Sequence, residues 1–126
     1  MLEIYKPIKE FENLYEISNL GNVRSLDKIN TFIKKDGTVI NRTIKGKLLK
    51  LTVSNNGYYK ISLHKDNKVI TKYVHRLVAE HFINNPNNYN IVNHKDENKL
   101  NNSVDNLEWC DYKYNNNYGT KKERLR

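Results

Sequence analysis

Cysteine is nearly absent from this chain: Cys110 is the only one in 126 residues. A lone thiol excludes an internal disulfide and the paired Cys-x-x-Cys zinc knuckles that brace some small domains. Long apolar runs are missing too. None approaches the roughly 18 residues that a membrane-spanning helix needs, and no secretory leader pattern opens the sequence. Those two absences predict a soluble, cytoplasmic protein. With only 37% of residues hydrophobic and a mean hydropathy of −0.85, any core must be compact. A chain of this length forms one domain or two very small ones, and no internal repeat is visible.

Negative charge is in short supply. Lys and Arg number 22 against 14 Asp and Glu, a formal net charge of +8. A small, strongly basic chain suits a polyanionic partner. Nucleic acid fits better than a membrane surface, because the cations are dispersed rather than set along one amphipathic helix. Charge alone also allows a merely solubilising surface. Asn, Lys, Ile and Tyr are abundant, so an isolated Asn carries little meaning; only its spacing to other residues counts.

Residues 1–27 hold two short alternating runs, Tyr15–Ser18 and Asn22–Leu26, around the turn-like Asn19-Leu20-Gly21. They predict a small β-hairpin. Residues 28–46 are polar, basic and broken by Asp36-Gly37; a long hairpin and a mobile loop both fit. There Lys34, Lys35, Arg42 and Lys45 either touch phosphates or are simply solvated. Three strand-like runs follow, 47–53, 58–64 and 69–74, separated by Ser54-Asn55-Asn56-Gly57 and Lys65-Asp66-Asn67-Lys68. An antiparallel meander is expected. Tyr58, Lys60, Lys65, Lys68 and Lys72 mix aromatic and basic groups as a DNA-facing sheet would, although aromatics in small sheets more often serve packing. His75–Ile83 carries Leu77, Val78 and Phe82 in helical register, and Pro86 in the loop beyond stops that helix. His75 suits a helix start that contacts structure or a phosphate, with Arg76 the better phosphate ligand. His64 and His81 read most simply as surface or partly buried structural residues.

The chain is organised around residues 91–117, IVNHKDENKLNNSVDNLEWCDYKYNNN. Ile91 and Val92 suit a brief strand, with His94 where it gives way to a polar loop. Asp105 is a good N-cap and Glu108 completes a capping-box pattern, predicting a helix with Leu107, Cys110 and Tyr114 on its apolar face. Asn115 and Asn116 would lie in its last turn and Gly119 would end it. Cys110 reads as a small buried hydrophobe and Trp109 as core. A strand, a polar loop and a helix can gather one imidazole and a few amide oxygens around a point. That layout suits metal-assisted attack on a phosphodiester.

The same stretch resembles the ββα-metal motif of HNH endonucleases, in the subgroup of phage and intron-encoded enzymes. His94 falls on the family's first His. Asn106, 12 positions on, falls on its central Asn, and Asn115, a further 9 on, falls on its last metal-binding position. Upstream, EIYKPI and YEISNLGNVRSL resemble the nuclease-associated modular domain that precedes such cores, and VHRLVA resembles the helix packed beside them.

The resemblance implies an α+β protein: a small antiparallel β-rich module for DNA binding over residues 1–46, then a β-meander and an HNH ββα-metal (His-Me finger) core over 47–126. It implies metal-dependent hydrolysis of DNA phosphodiester bonds, by nicking or double-strand cleavage, by a phage or mobile-element protein in the cytoplasm of a bacterial host. His94 would take the proton from water and Asn106 would fix its loop. Asn93 and Asn115 would supply oxygen ligands, which favour a single Mg²⁺ or Mn²⁺ over structural zinc. Asp96 would orient the loop or a ligand water. Double-stranded DNA is the implied partner, with no membrane. Its expected contacts are Arg24, Lys60, Lys72, His75, Arg76, Lys95 and Lys113, with the tail residues Lys121, Lys122, Arg124 and Arg126 either joining them or solvated. Target site and oligomeric state stay open. One departure matters: many relatives carry Asp where this chain has Asn93. Two neutral amides should bind metal weakly without DNA, which leaves a second reading, a catalytically degenerate DNA-binding module of the same fold.

Overall fold

The computed structural model of the protein describes residues 1–117. Strands β1 (Tyr5–Pro7), β2 (Tyr15–Ser18) and β3 (Val23–Ser25) form a first antiparallel sheet in that order. The β2–β3 turn is the one expected, and it needs Gly21, whose φ of +89° would strain any side chain. Strands β4 (Lys28–Ile33) and β5 (Val39–Ile44) pair along their whole length, from Lys28↔Ile44 to Ile33↔Val39. Residues 28–46 are therefore a hairpin. This ribbon contributes nothing to the core, and Ile29, Phe32, Ile33 and Val39 on it are exposed.

A third sheet has the order β6 (Thr52–Val53), β7 (Tyr59–Lys65) and β8 (Lys68–Tyr73). Its β7–β8 connection is a two-residue turn, with φ 52° at Asp66 and 62° at Asn67, the left-handed pair that matches the strand twist. The expected strand at 47–53 is shorter in fact. Ser25 N–H donates to Lys47 O and Leu49 N–H to Val23 O, both at 2.9 Å, so this segment joins β3 before it reaches the third sheet.

Helix α1 (Val74–Phe82) buries Val74, His75, Leu77, Val78 and Ala79. It ends with Ile83 N–H donating to Ala79 O at 3.1 Å, before Pro86. Around it packs one cluster: Ile8, Phe11, Ile17 and Val23 on one side, Ile61 and Leu63 of β7 on another, and Val92 and Leu107 on a third. Burying each such side chain stabilises by roughly 1.5–3 kcal/mol. The first sheet and the C-terminal region thus share their interior.

Strands β9 (Ile91–His94) and β10 (Leu107–Cys110) pair antiparallel, Leu107↔His94 and Glu108↔Asn93. This corrects the helix expected from Asp105. Val104–Asn106 forms a single 3-10 turn, Ser103 Oγ donates to Asp105 Oδ1 at 2.6 Å, and Glu108 faces β9 instead of closing a capping box. Pairing with β9 satisfies the backbone while burying Leu107 and Cys110, and this outweighs a local helical signal. The helix begins later, as α2 (Tyr112–Asn117), where Asp111 Oδ1 accepts Tyr114 N–H at 2.7 Å. Tyr114 is 46% exposed, not part of an apolar face. Gly119 and the four basic tail residues lie outside the described residues. Mostly antiparallel strands with little helix make the fold α+β, as expected. No described helix is long and apolar enough to cross a membrane.

Candidate active site

His94 ends β9 and is 6% exposed. Its Nε2 lies 2.8 Å from Asn102 Oδ1. An amide oxygen only accepts, so Nε2 carries the proton and Nδ1 is the basic nitrogen. Aromatic rings line the other flank. The His75 ring centroid is 5.3 Å from that of His94 and the Tyr58 centroid 5.9 Å. Tyr58 and Tyr73 in turn lie 4.7 and 5.6 Å from His75. His75 was expected to contact either structure or a phosphate; it is buried, because α1 follows β8 directly and its first turn faces inward. Its Nδ1 has no hydrogen-bond partner. Burial first, then His94 and Arg76 nearby, push its pKa from 6.5 down to about 3. His75 is neutral at physiological pH.

The loop between β9 and β10 is tied by Asn106. Lys95 N–H donates to its backbone oxygen at 2.8 Å, and Asp96 N–H donates to its Oδ1 at 3.1 Å. Its Nδ2 donates to Asp96 Oδ1 and to Asn101 O, both at 2.9 Å. Asp96 also accepts from Asn98 N–H and Asn101 Nδ2, both at 2.8 Å. These donors, Asn101 first, then the Asn98 backbone and Asn106, hold the Asp96 carboxyl below the usual carboxylate range. Asp96 thus orients the loop. Asn102 in that loop is backed by the β2–β3 turn. Val104 N–H donates to Asn19 O at 2.8 Å, and a Cβ on Gly21 would stand 2.9 Å from Asn102 Cβ.

Asn93 precedes His94 and, by strand alternation, points to the other face. It is 1% exposed. Its Nδ2 donates to Glu108 Oε1 at 2.9 Å, while its Oδ1 is buried and accepts no hydrogen bond. The Tyr114 hydroxyl on α2 donates to the same Glu108 oxygen at 3.1 Å. Asn115, half-buried, sits beside Tyr114 on α2, which packs against β9. The β9–β10–α2 unit therefore brings Asn93, His94, Asn106 and Asn115 into one small region. Sequence reasoning passed over Asn102, met Tyr114 only as part of a supposed apolar helix face, and met Glu108 only as a supposed helix cap.

The expected DNA contacts are scattered. Lys95 and Lys113 are exposed near the site. Lys60 shares a face of the third sheet with its partner Tyr73, whereas Lys72 pairs with the buried Ile61 on the opposite face. Arg24 is bound to Glu16 at 2.7 Å and stacks 3.7 Å above the Tyr5 ring. Arg76 donates to Asn90 O at 2.7 Å and lies over Trp109, committed within the fold. His81 bridges Leu77 O and Lys9 N–H, at 2.7 and 3.0 Å, a structural histidine as expected.

The chain matches the NUMOD4 motif over residues 3–64. It is 47% identical over 118 residues, 94% of its length, to an uncharacterized HNH endonuclease, L245, of Acanthamoeba polyphaga mimivirus. It spans only 30% of that relative. Its fold superposes with a TM-score of 0.68 on the HNH homing endonuclease I-HmuI, solved for its DNA binding and cleavage. The match is 34% identical and covers 97% of this chain and 65% of that one. By sequence and by fold alike, this chain is similar to HNH homing-type endonucleases, and its N-terminal half matches the NUMOD4 motif.

Proposed function

We propose that the protein hydrolyses phosphodiester bonds in double-stranded DNA with the help of one divalent cation. The observation that carries this reading is the β9–β10–α2 unit, in which His94, with a basic Nδ1, follows Asn93, with a bare Oδ1, at the end of β9. His94 takes the proton from the attacking water. Asn102 holds its tautomer, and neutral His75 behind it adds no charge that would oppose protonation. Asn106 keeps the loop closed beneath His94. A buried amide oxygen without a partner and a second amide on α2 form an oxygen donor set, which fits Mg²⁺ or Mn²⁺ better than zinc. Such an ion, when bound, stabilises charge on the phosphoryl oxygens and the leaving 3′-oxygen. The products would carry 5′-phosphate and 3′-hydroxyl ends. The likeness to I-HmuI, which binds and cleaves DNA, supports the choice of substrate.

One observation favours a second reading. Asn93 and Asn115 are both neutral, so a DNA-binding module without cleavage has the same fold and the same cations.

Supercoiled plasmid incubated with Mg²⁺ or Mn²⁺, beside His94→Ala and an EDTA control, tests both. Nicked or linear product is expected, lost with EDTA and reduced by about 10²–10⁴-fold in His94→Ala. Plasmid retained in a gel shift but never cut would transfer the case to the binding module. The ratio of nicked to linear product reports whether one strand or two are cut.

A further inference from the structure

Glu108 occupies a position that the nuclease reading leaves unused. It stands directly across from Asn93 in the β9–β10 pair. Its Oε1 accepts from Asn93 Nδ2 at 2.9 Å and from the Tyr114 hydroxyl at 3.1 Å. No hydrogen bond to its Oε2 is found among the described residues. A carboxylate only accepts, so it selects one orientation of the Asn93 amide. The opposite orientation would set Oδ1 against Oε1, two acceptors with no proton between them. The selected orientation leaves Oδ1 buried, where it accepts no hydrogen bond. An orphaned buried carbonyl is costly, and such groups persist where the atom is used.

We propose that Glu108 is a positioning residue for the divalent cation: it presents Asn93 Oδ1 as a ligand and supplies, through the amide, the negative charge that Asn93 itself lacks. This rests on the nuclease reading. A cation at Oδ1 withdraws electrons from the amide and makes its N–H groups better donors, so the bond to Glu108 strengthens as the ion binds. The Tyr114 hydroxyl holds the carboxylate in place from α2, the helix that carries Asn115. The two amide ligands are thereby linked through one acidic side chain, which sets beside Asn93 the negative charge that a neutral amide lacks.

The test follows Mn²⁺ binding by the electron paramagnetic resonance of the free ion. The full chain is titrated in the presence of plasmid, on a His94→Ala background that leaves the DNA intact. Glu108→Gln, which keeps the shape and loses the charge, is expected to raise the half-saturating Mn²⁺ concentration about tenfold. Glu108→Leu, which also frees the amide to turn, is expected to raise it about a hundredfold. Retention of plasmid without metal, and the circular dichroism spectrum, would stay as in the parent, which separates this role from a merely structural one. Should Glu108→Leu fail to fold, the Gln variant decides alone. Half-saturation equal to the parent in Glu108→Gln overturns the role of Glu108. If the parent itself shows no Mn²⁺ binding with plasmid and the native chain cuts nothing, the nuclease reading falls and takes this one with it.

Discussion

The rings of His75 and His94, 19 residues apart in the chain, meet at a centroid distance of 5.3 Å and an interplanar angle of 52°. One opens a helix and the other ends a strand. The pKa of His75 is about 3, against an ordinary 6.5. Between those values the unfolded chain binds a proton that the folded chain refuses. Stability therefore falls as pH drops below 6.5, by up to about 1.4 kcal/mol per pH unit. Asp96 acts in the same sense at the acid end: its stabilising hydrogen bonds are fully present above its ordinary 3.8 and are lost as pH falls through its lower folded value. Urea unfolding midpoints between about pH 7 and about pH 4 should fall steadily. His75→Phe should flatten the slope above about pH 4. A level profile in the native chain would count against a neutral, buried His75.

Gly21→Ala tests the link between the β2–β3 turn and the β9–β10 loop that holds His94. The position has a φ of +89° and only 2.9 Å between a new Cβ and Asn102 Cβ. A loss of about 1–3 kcal/mol in unfolding free energy is expected. Plasmid nicking should drop further than stability explains at a temperature where the variant is fully folded, since Asn102 holds His94. Asn102→Ala should reproduce the drop in nicking at a smaller cost in stability. Equal nicking in both variants and the native chain would show that His94 needs no such support.

Asn106→Ala removes three side-chain hydrogen bonds, two with Asp96 and one with Asn101 O. At about 1 kcal/mol each, the expected loss is about 2–3 kcal/mol. Asn106→Asp, despite its equal size, should be as costly or worse, because it sets a second carboxylate against Asp96 and removes both donors. Denaturant titration at neutral pH distinguishes the two from the native chain and from each other.

The β4–β5 ribbon carries Lys28, Lys34, Lys35, Arg42 and Lys45, all exposed. Replacing the five by Gln should leave the melting temperature almost unchanged, because no ribbon residue enters the core. Plasmid affinity should weaken. The log–log dependence of affinity on salt should become shallower, by up to about 0.9 for each phosphate that is no longer neutralised. An unchanged salt slope would mean that these cations face solvent only.

Much of this molecule was legible from residue order. Tyr15–Ser18, the meander from β6 to β8, and α1 all followed from alternation, turn residues and helical register. The spacing of His94, Asn106 and Asn115 located the β9–β10–α2 unit. The second strand of that unit was misread because Leu107, Cys110 and Tyr114 fall at helical spacing, and Asp105 with Glu108 imitates a helix start. Only the partner strand decides between helix and strand. Asn102 was hidden by the abundance of Asn, and its distinction is that it is 4% exposed beside His94. The meeting of His75 with His94 depends on how α1 lies against β9, and no local pattern encodes that. The charges of Arg24 and Arg76 can be counted in a sequence, whereas their intramolecular partners, Glu16 and Asn90 O, cannot.

The approach of Asn19 to Val104 and of Gly21 to Asn102 joins residues more than 80 positions apart. Closing loops of that length is a slow part of folding. The turn that backs Asn102 leaves the ribosome early, and the residues it supports come near the end of the described chain. Most of the cations lie before residue 90, so the basic surface is synthesised well before His94 can be locked by Asn102.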